Sequence, residues 1–308
     1  CCKDKHDNTQ PADNHCKTLH PVIFIHGFLA SGDTWANQVM RFTSNGYCDN
    51  LLYAYDWNSV GGSTDQTILD AFIDTVLART GATQVDLVGH SAGGGTALAA
   101  ANDPRIDGYV SLASGRLNGA TEAMPTKPSF FIGGSVDGVV PFDTVTAKAF
   151  DAAPAPSRLW RIDGVGHNGF DDFCTFGNGQ GIIGVAEASG LGPLLDAQPQ
   201  LKKLGQDGCI PPAIPVDTTF PIIRHAVTAW LLNLFGVDAT PVGLGPEVAR
   251  SGAAIVLMHT RGRSREMYRE AVYRAFPDEV VRELGASLAV AEAAGIDRDR
   301  VILDPGFG

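Results

Sequence analysis

The chain is short of positive charge: 23 lysines and arginines stand against 34 aspartates and glutamates, a formal net charge of -11 over 308 residues. No basic block offsets this excess, which argues against nucleic acid or an anionic membrane surface as a partner. Long apolar runs are missing too. A membrane helix needs about 20 consecutive apolar residues, and the best stretch, 222–235, is interrupted by Arg224 and His225. Zinc-type spacings are absent: the cysteines at 1, 2, 16, 48, 174 and 209 form no Cys-x-x-Cys pair and no cysteine–histidine pattern. They read as disulfide formers, with the pairing open. Cys174 and Cys209 bracket a stretch rich in glycine and proline that a clamp would help most, which points to a secreted or periplasmic, cell-envelope setting.

Lysine also disappears along the chain. Residues 247–308 hold nine arginines, no lysine and ten acidic residues, whereas all six cysteines lie before them. The acidity therefore belongs to the first part, and the shift in composition marks two segments of different origin. The Gly- and Pro-bearing run 237–246 reads as the linker between them. With 44% hydrophobic and 19% charged residues the chain is ordinary for a globular protein with ample core. Residues 1–20 are polar and unpatterned, a tether or mobile arm. Cys1 stands where a processed bacterial lipoprotein carries its lipid, so lipidation there, as against arbitrary trimming, is the one expected route to a membrane.

Short apolar runs at Val22–Ile25, Leu51–Tyr55 and Val85–Val88 read as strands buried on both faces of a parallel sheet, with further strands at Tyr109–Ala113, Ser129–Ile132 and Arg158–Ile162. Between them, Ile68, Leu69, Phe72, Ile73, Val76 and Leu77 recur at helical spacing, capped by Ser63 or Thr64 and stopped at Gly81. Phe142–Asp151 reads as helical. Pro221–Phe235 reads as a final helix, with Thr218 or Thr219 before it. Residues 169–216 lack periodicity and read as an irregular loop or cap, with a single helix near Leu194–Leu204. The alternation of strand and helix predicts an α/β domain over residues 21–236, its central sheet mainly parallel and flanked by helices.

At Gly89-His90-Ser91-Ala92-Gly93 a strand breaks into a turn so tight that neither flanking glycine tolerates a side chain. Such a turn lifts a serine hydroxyl clear of the sheet. A serine is a poor nucleophile unless a base, an acid that orients the base and donors for an oxyanion surround it. His167, in Val165-Gly166-His167-Asn168-Gly169 after a late strand, is the best placed of the eight histidines. Asp137, where the run Phe130-Phe131-Ile132 breaks into a turn, is the expected acid, with Asp163 and Asp143 next in line. The backbone N–H groups of Phe28 and Ala92 are the expected oxyanion donors. Phe28, Leu29, Trp35, Trp57 and Phe170 are apolar residues near this site, as acyl-pocket or ordinary core residues.

These blocks, with Phe24-Ile25-His26-Gly27-Phe28 and Val136-Asp137-Gly138-Val139-Val140-Pro141, resemble the α/β-hydrolase esterases and lipases over about two-thirds of the chain. The resemblance implies carboxylic ester hydrolysis through an acyl-serine, on a small-molecule or lipid ester, with no metal and no organic cofactor. The different-class alternative is a noncatalytic binding protein of the same fold. The segment from 247 has a resemblance of its own. Ala254–Gly262, Ala291–Ile296 and Val301–Gly308 resemble the middle of dihydropteroate synthase, in which the counterpart of Asp304 hydrogen-bonds the pterin. The piece reads as one strand–helix–strand unit, an incomplete (β/α)-barrel fragment. A barrel takes about 250 residues, and the family's early phosphate-binding segment and late Lys and Arg-His elements are missing, so no synthase activity is expected.

Overall fold

The computed structural model describes residues 16, 19–59, 61, 66–116, 123–234, 248–249, 254–259, 261 and 272–305. Six parallel strands form the main sheet: β1 (Val22–Ile25), β2 (Leu52–Tyr55), β3 (Val85–His90), β4 (Ile106–Leu112), β5 (Ser129–Gly134) and β6 (Ser157–Ile162), in the order β2-β1-β3-β4-β5-β6. The expected α/β architecture is what forms. Every residue of β1, β3, β4 and β5 is buried, as the continuous apolar runs required.

Alternation along those strands divides the core into two layers. Val22, Phe24, Val88, Val110, Phe130 and Ile132 face one side, where they meet Trp35, Phe42 and the helix Val216–Leu234. Ile23, Ile25, Leu87, Tyr109 and Phe131 face the other, against Leu69, Ile73, Val76, Ala97 and Leu98. The flanking helices in chain order are α1 (Ala36–Ser44), α2 (Gln66–Thr80), α3 (Ala92–Ala100), α4 (Ala147–Ala152), α5 (Gly181–Ala188), α6 (Gly192–Asp196), α7 (Pro199–Gln206) and α8 (Val216–Leu234). A full side chain buried in either layer contributes about 1.5 to 3 kcal/mol. Gln38 fastens α1 to α8 by donating to Thr228 Oγ1 at 3.0 Å.

The structure departs from the sequence reading in three places. Residues 169–216 hold more regular structure than expected: α5 is added, and α6 and α7 stand where a single helix near Leu194–Leu204 was expected, each too short to show a clear period. Prolines sit in the first turns of α6 and α7, where the missing N–H costs nothing. The last helix of the domain begins at Val216 rather than Pro221, so Thr218 and Thr219 lie inside it and do not precede it. Pro221 removes one backbone bond near the start of α8, while Phe220, Ile223, Val227 and Leu231 are buried along its length. The end of the expected arm is tied down as well, since Leu19 is buried and Cys16 is joined to Cys48. Cys174 is joined to Cys209. Cys1, Cys2, the caps Ser63 and Thr64 and the expected linker 237–246 lie outside the described residues.

After that linker, β7 (Ile255–Met258) and β8 (Val301–Asp304) pair in parallel, and α9 (Asp278–Ala293) lies between them in sequence. This is the strand–helix–strand unit expected there. Leu257, Leu288, Ala291 and Ile296 make its small core.

Candidate active site

The chain leaves β1 toward β2 on one side and returns to β3 on the other. The carboxyl ends of β1 and β3 therefore border the crevice where an open parallel sheet binds ligands. Ser91 stands there, immediately after β3, with φ 56° and ψ -121°. That backbone is strained for a residue with a side chain. Its neighbours make it feasible by being glycines: a Cβ on Gly89 would lie 2.2 Å from Gly93 O, and one on Gly93 would lie 2.2 Å from Ile25 O. Ser91 N–H donates to Leu112 O at 2.9 Å, which pins the turn to the end of β4.

The structure brings the three expected side chains together. His167 Nε2 is 2.8 Å from Ser91 Oγ, and His167 Nδ1 is 3.0 Å from Asp137 Oδ2. The other carboxylate oxygen, Oδ1, accepts N–H bonds from Val139 at 2.9 Å and Val140 at 2.7 Å, so the turn after β5 orients the acid. His167 and Asp137 are buried, whereas Ser91 is partly accessible. Asp163 and Asp143 are exposed. A hydroxyl on an imidazole whose far nitrogen faces a carboxylate is the arrangement that activates a serine as nucleophile.

The loop after β1 is held by its own histidine. His26 is fully buried, its Nδ1 lies 2.8 Å from Gly27 O, and its Nε2 lies 3.2 Å from the N–H of Trp57. Trp57 stacks on this ring and donates its indole N–H to His26 O at 3.0 Å. This fixes the backbone that leads to Phe28. Ala92 opens α3, where the first N–H groups of a helix point outward without helical partners. Gly27, Phe28, Ala30, His90, Ser91, His167, Asn168, Phe173 and Leu204 enclose a cavity of about 20 Å³ at the serine, room for about one water. Phe173 and Leu204 come from the segment expected to be an irregular cap, and they roof the site. Of the apolar residues singled out in the sequence, Phe28 lines this cavity, whereas Trp35 and Phe170 belong to the core.

A second histidine–carboxylate pair lies behind the first. His90 Nδ1 is 3.0 Å from Asp171 Oδ2, and His90 Nε2 is 2.8 Å from His167 O. A carbonyl oxygen demands N–H at Nε2 and an ionised carboxylate demands N–H at Nδ1, so the geometry calls for an imidazolium. Burial works to lower the pKa of His90, but the charge and hydrogen bond of Asp171, helped by the His167 carbonyl and Asp137, hold it above its ordinary value. Asp172 then accepts N–H from Asn37 at 2.7 Å and from Arg224 at 2.6 Å. Its burial pushes the carboxyl pKa up against the pull of Asn37 and Arg224. Two adjacent acids thus tie the loop of His167 to β3, α1 and α8. Sequence reasoning missed both; the signal available was an Asp-Asp pair four and five residues after His167.

The remaining histidines are elsewhere. His20, at the end of the expected arm, pairs with Asp86 at 3.3 Å and Asp107 at 3.5 Å, near the starts of β3 and β4 and so at the opposite end of the strands from Ser91. His225 faces Arg41, and burial with that charge lowers its pKa. His259 bonds Glu283 at 2.8 Å beyond the linker, where Arg261 and His259 hold the carboxylate of Glu283 down at about 2. Asp304 takes part in the β7–β8 pairing, its carbonyl accepting from His259 N–H at 2.7 Å. His6 and His15 lie outside the described residues.

Comparison with known proteins finds two families along the chain. Residues 20–126 match the family model of the alpha/beta hydrolase fold, and residues 200–308 match that of pterin binding enzymes. The second match begins before the linker and includes α8, which packs in the core of the first domain. A triacylglycerol lipase of Pseudarthrobacter phenanthrenivorans is 39% identical over 93 residues, 27% of this chain and 28% of that one. A dihydropteroate synthase of Mycobacterium leprae (strain TN) is 34% identical over 114 residues, 36% of this chain and 39% of that one. The chain thus spans between about a quarter and two-fifths of the length of these relatives. The esterase domain from a Rhodothermus marinus protein is similar at a TM-score of 0.38 and 17% identity, covering 52% of this chain and 80% of that one.

Proposed function

We propose that residues 21–236 form a serine carboxylic ester hydrolase of the esterase and lipase type. Ser91 Oγ attacks the ester carbonyl while its proton passes to His167 Nε2. Asp137 holds the far N–H and stabilises the imidazolium that results. The N–H groups of Phe28 and Ala92 receive the oxyanion. His167 then protonates the departing alkoxide, and water repeats the sequence on the acyl-serine, with no cofactor taking part. The substrate is a small-molecule or lipid ester. Two disulfides support an oxidising, extracytoplasmic setting for this work.

One observation carries the reading: His167 bridges Ser91 Oγ at 2.8 Å and Asp137 Oδ2 at 3.0 Å. The experiment is hydrolysis of p-nitrophenyl acetate beside covalent labelling with a fluorophosphonate. Ser91→Ala is expected to abolish labelling and to lower kcat by about 10⁴-fold or more. Undiminished turnover in that variant, or a wild-type protein that resists the label, would sink the proposal and favour a noncatalytic binding protein. No pterin chemistry is assigned to residues 247–308.

A further inference from the structure

The loop that presents His167 and the loop that presents Asp137 leave different strands, β6 and β5, and the bond between their side chains needs the two loops held in register. The side chain that spans them is Asp207, which caps the C-terminus of α7. Its Oδ1 accepts the backbone N–H of His167 at 2.7 Å, and its Oδ2 accepts the backbone N–H of Gly138, next to Asp137, at 3.0 Å. Its own carbonyl accepts the N–H of Asn168 at 2.8 Å, and Asn168 Nδ2 donates to Leu204 O at 2.8 Å. One carboxylate thus takes a charge-assisted bond from each loop.

The approach is built for that carboxylate. A Cβ on Gly138 would lie 2.9 Å from Asp207 Oδ2, and one on Gly166 would lie 2.7 Å from Asp207 Oδ1 and 2.6 Å from Gly208 Cα. Glycine on both sides admits the carboxylate; any larger residue would push it away. Two residues further on, Cys209 is joined to Cys174, which fastens the same turn to the segment just after His167.

From this geometry we infer that Asp207 is a positioning residue for the hydrolysis proposed above, a carboxylate strut that holds the base loop and the acid loop in the spacing the Asp137–His167–Ser91 relay needs. It is not among the residues that enclose the cavity at Ser91. It acts through the backbone of His167 and Gly138, and it makes the segment 169–215 part of the machinery rather than a cover alone.

The inference rests on the hydrolase reading, and the test separates the two. Asp207→Asn keeps the shape and one accepting oxygen, and Asp207→Ala removes both. Expected in Asp207→Ala are a fall in kcat of about 30- to 100-fold with KM within about twofold, and in Asp207→Asn a smaller fall of about 5- to 10-fold. Amide hydrogen exchange should quicken at His167 and Gly138 in both variants, with the strands of the sheet unaffected. A kcat in Asp207→Ala within threefold of wild type, or exchange at those two amides that does not change, overturns the inference. A wild-type protein that hydrolyses no ester overturns the hydrolase reading instead, and the exchange ratio at His167 and Gly138 still decides whether Asp207 ties the loops.

Discussion

Among the described residues two parallel sheets are built by the same alternation of strand and helix, and they differ in cover. In the six-stranded sheet every residue of β1, β3, β4 and β5 is buried. In the two-stranded sheet Val256, Met258, Ile302 and Leu303 keep 57%, 49%, 58% and 42% of their surface exposed. The sequences look alike, Val-Ile-Phe-Ile against Ile-Val-Leu-Met. What separates them is the number of layers. A parallel strand is stabilised by apolar cover on both faces; helices cover both faces of the first sheet, whereas among the described residues the cluster of the second sheet joins Leu288 and Ala291 of α9 to Leu257, with partly buried Ile255 and Val301 beside them. An apolar run therefore specifies a strand without specifying that its surroundings exist.

The largest expected effect tests the tightness of the first region. In Gly93→Ala the new Cβ meets the Ile25 carbonyl at 2.2 Å, a backbone atom with nowhere to go. A loss of about 4 kcal/mol or more in urea unfolding, with the loss of ester hydrolysis, is expected. Wild-type stability in that variant would break the comparison.

Next come the two buried-versus-open histidine pairs. His90 and Asp171 are 2% and 0% exposed, whereas the Glu283 side chain facing His259 is 32% exposed. His90→Ala should cost about 3 kcal/mol. The pKa of His90 is raised in the folded protein, so its charged pair contributes fully below the ordinary imidazole value and fades as pH rises through the raised one. The gap between wild type and His90→Ala, measured by urea unfolding, should be wider at pH 5.5 than at pH 9. The gap for His259→Ala should be smaller and should shrink with added salt. A His90 gap that widens toward alkaline pH would contradict the imidazolium.

A smaller effect concerns the roof. Leu204→Ala enlarges the cavity beside Ser91, so hydrolysis of hexanoate relative to acetate p-nitrophenyl esters should rise by about 5- to 10-fold. An unchanged ratio would deny Leu204 any part in limiting the acyl chain. The smallest effect belongs to the open region: Gly285 lies within α9 with nothing near its would-be Cβ. Gly285→Ala should stabilise by about 0.5 to 1 kcal/mol, the opposite sign to Gly93→Ala.

Strands such as β1 and β5 were legible because each holds a dense apolar run bounded by turn residues, as Val85–Val88 is before Gly89. Ser91, Asp137 and His167 were legible because the proposed chemistry asks for those side-chain types at strand ends in that order. The short helices were legible only in part, as one helix near Leu194–Leu204 in place of α6 and α7, since α5, α6 and α7 have 8, 5 and 8 residues and too few turns to display a period. His90 read as part of a turn motif, because its partner Asp171 is 81 positions away. Asp207 carried no signal beyond an Asp-Gly pair.

Sequence by itself determined the strands, the strained turn at Ser91, the division of the chain into two segments and the side chains that meet at the serine. All of these depend on local pattern or on residue type. Only the tertiary structure decided which loops are tied, through the bonds of Asp207 to His167 and Gly138, of His90 to Asp171 and of Asp172 to Arg224. The physical reason is that a carboxylate accepts from whatever N–H the fold brings within about 3 Å. That proximity is set by packing between residues far apart in the chain, and no spacing in the sequence encodes it.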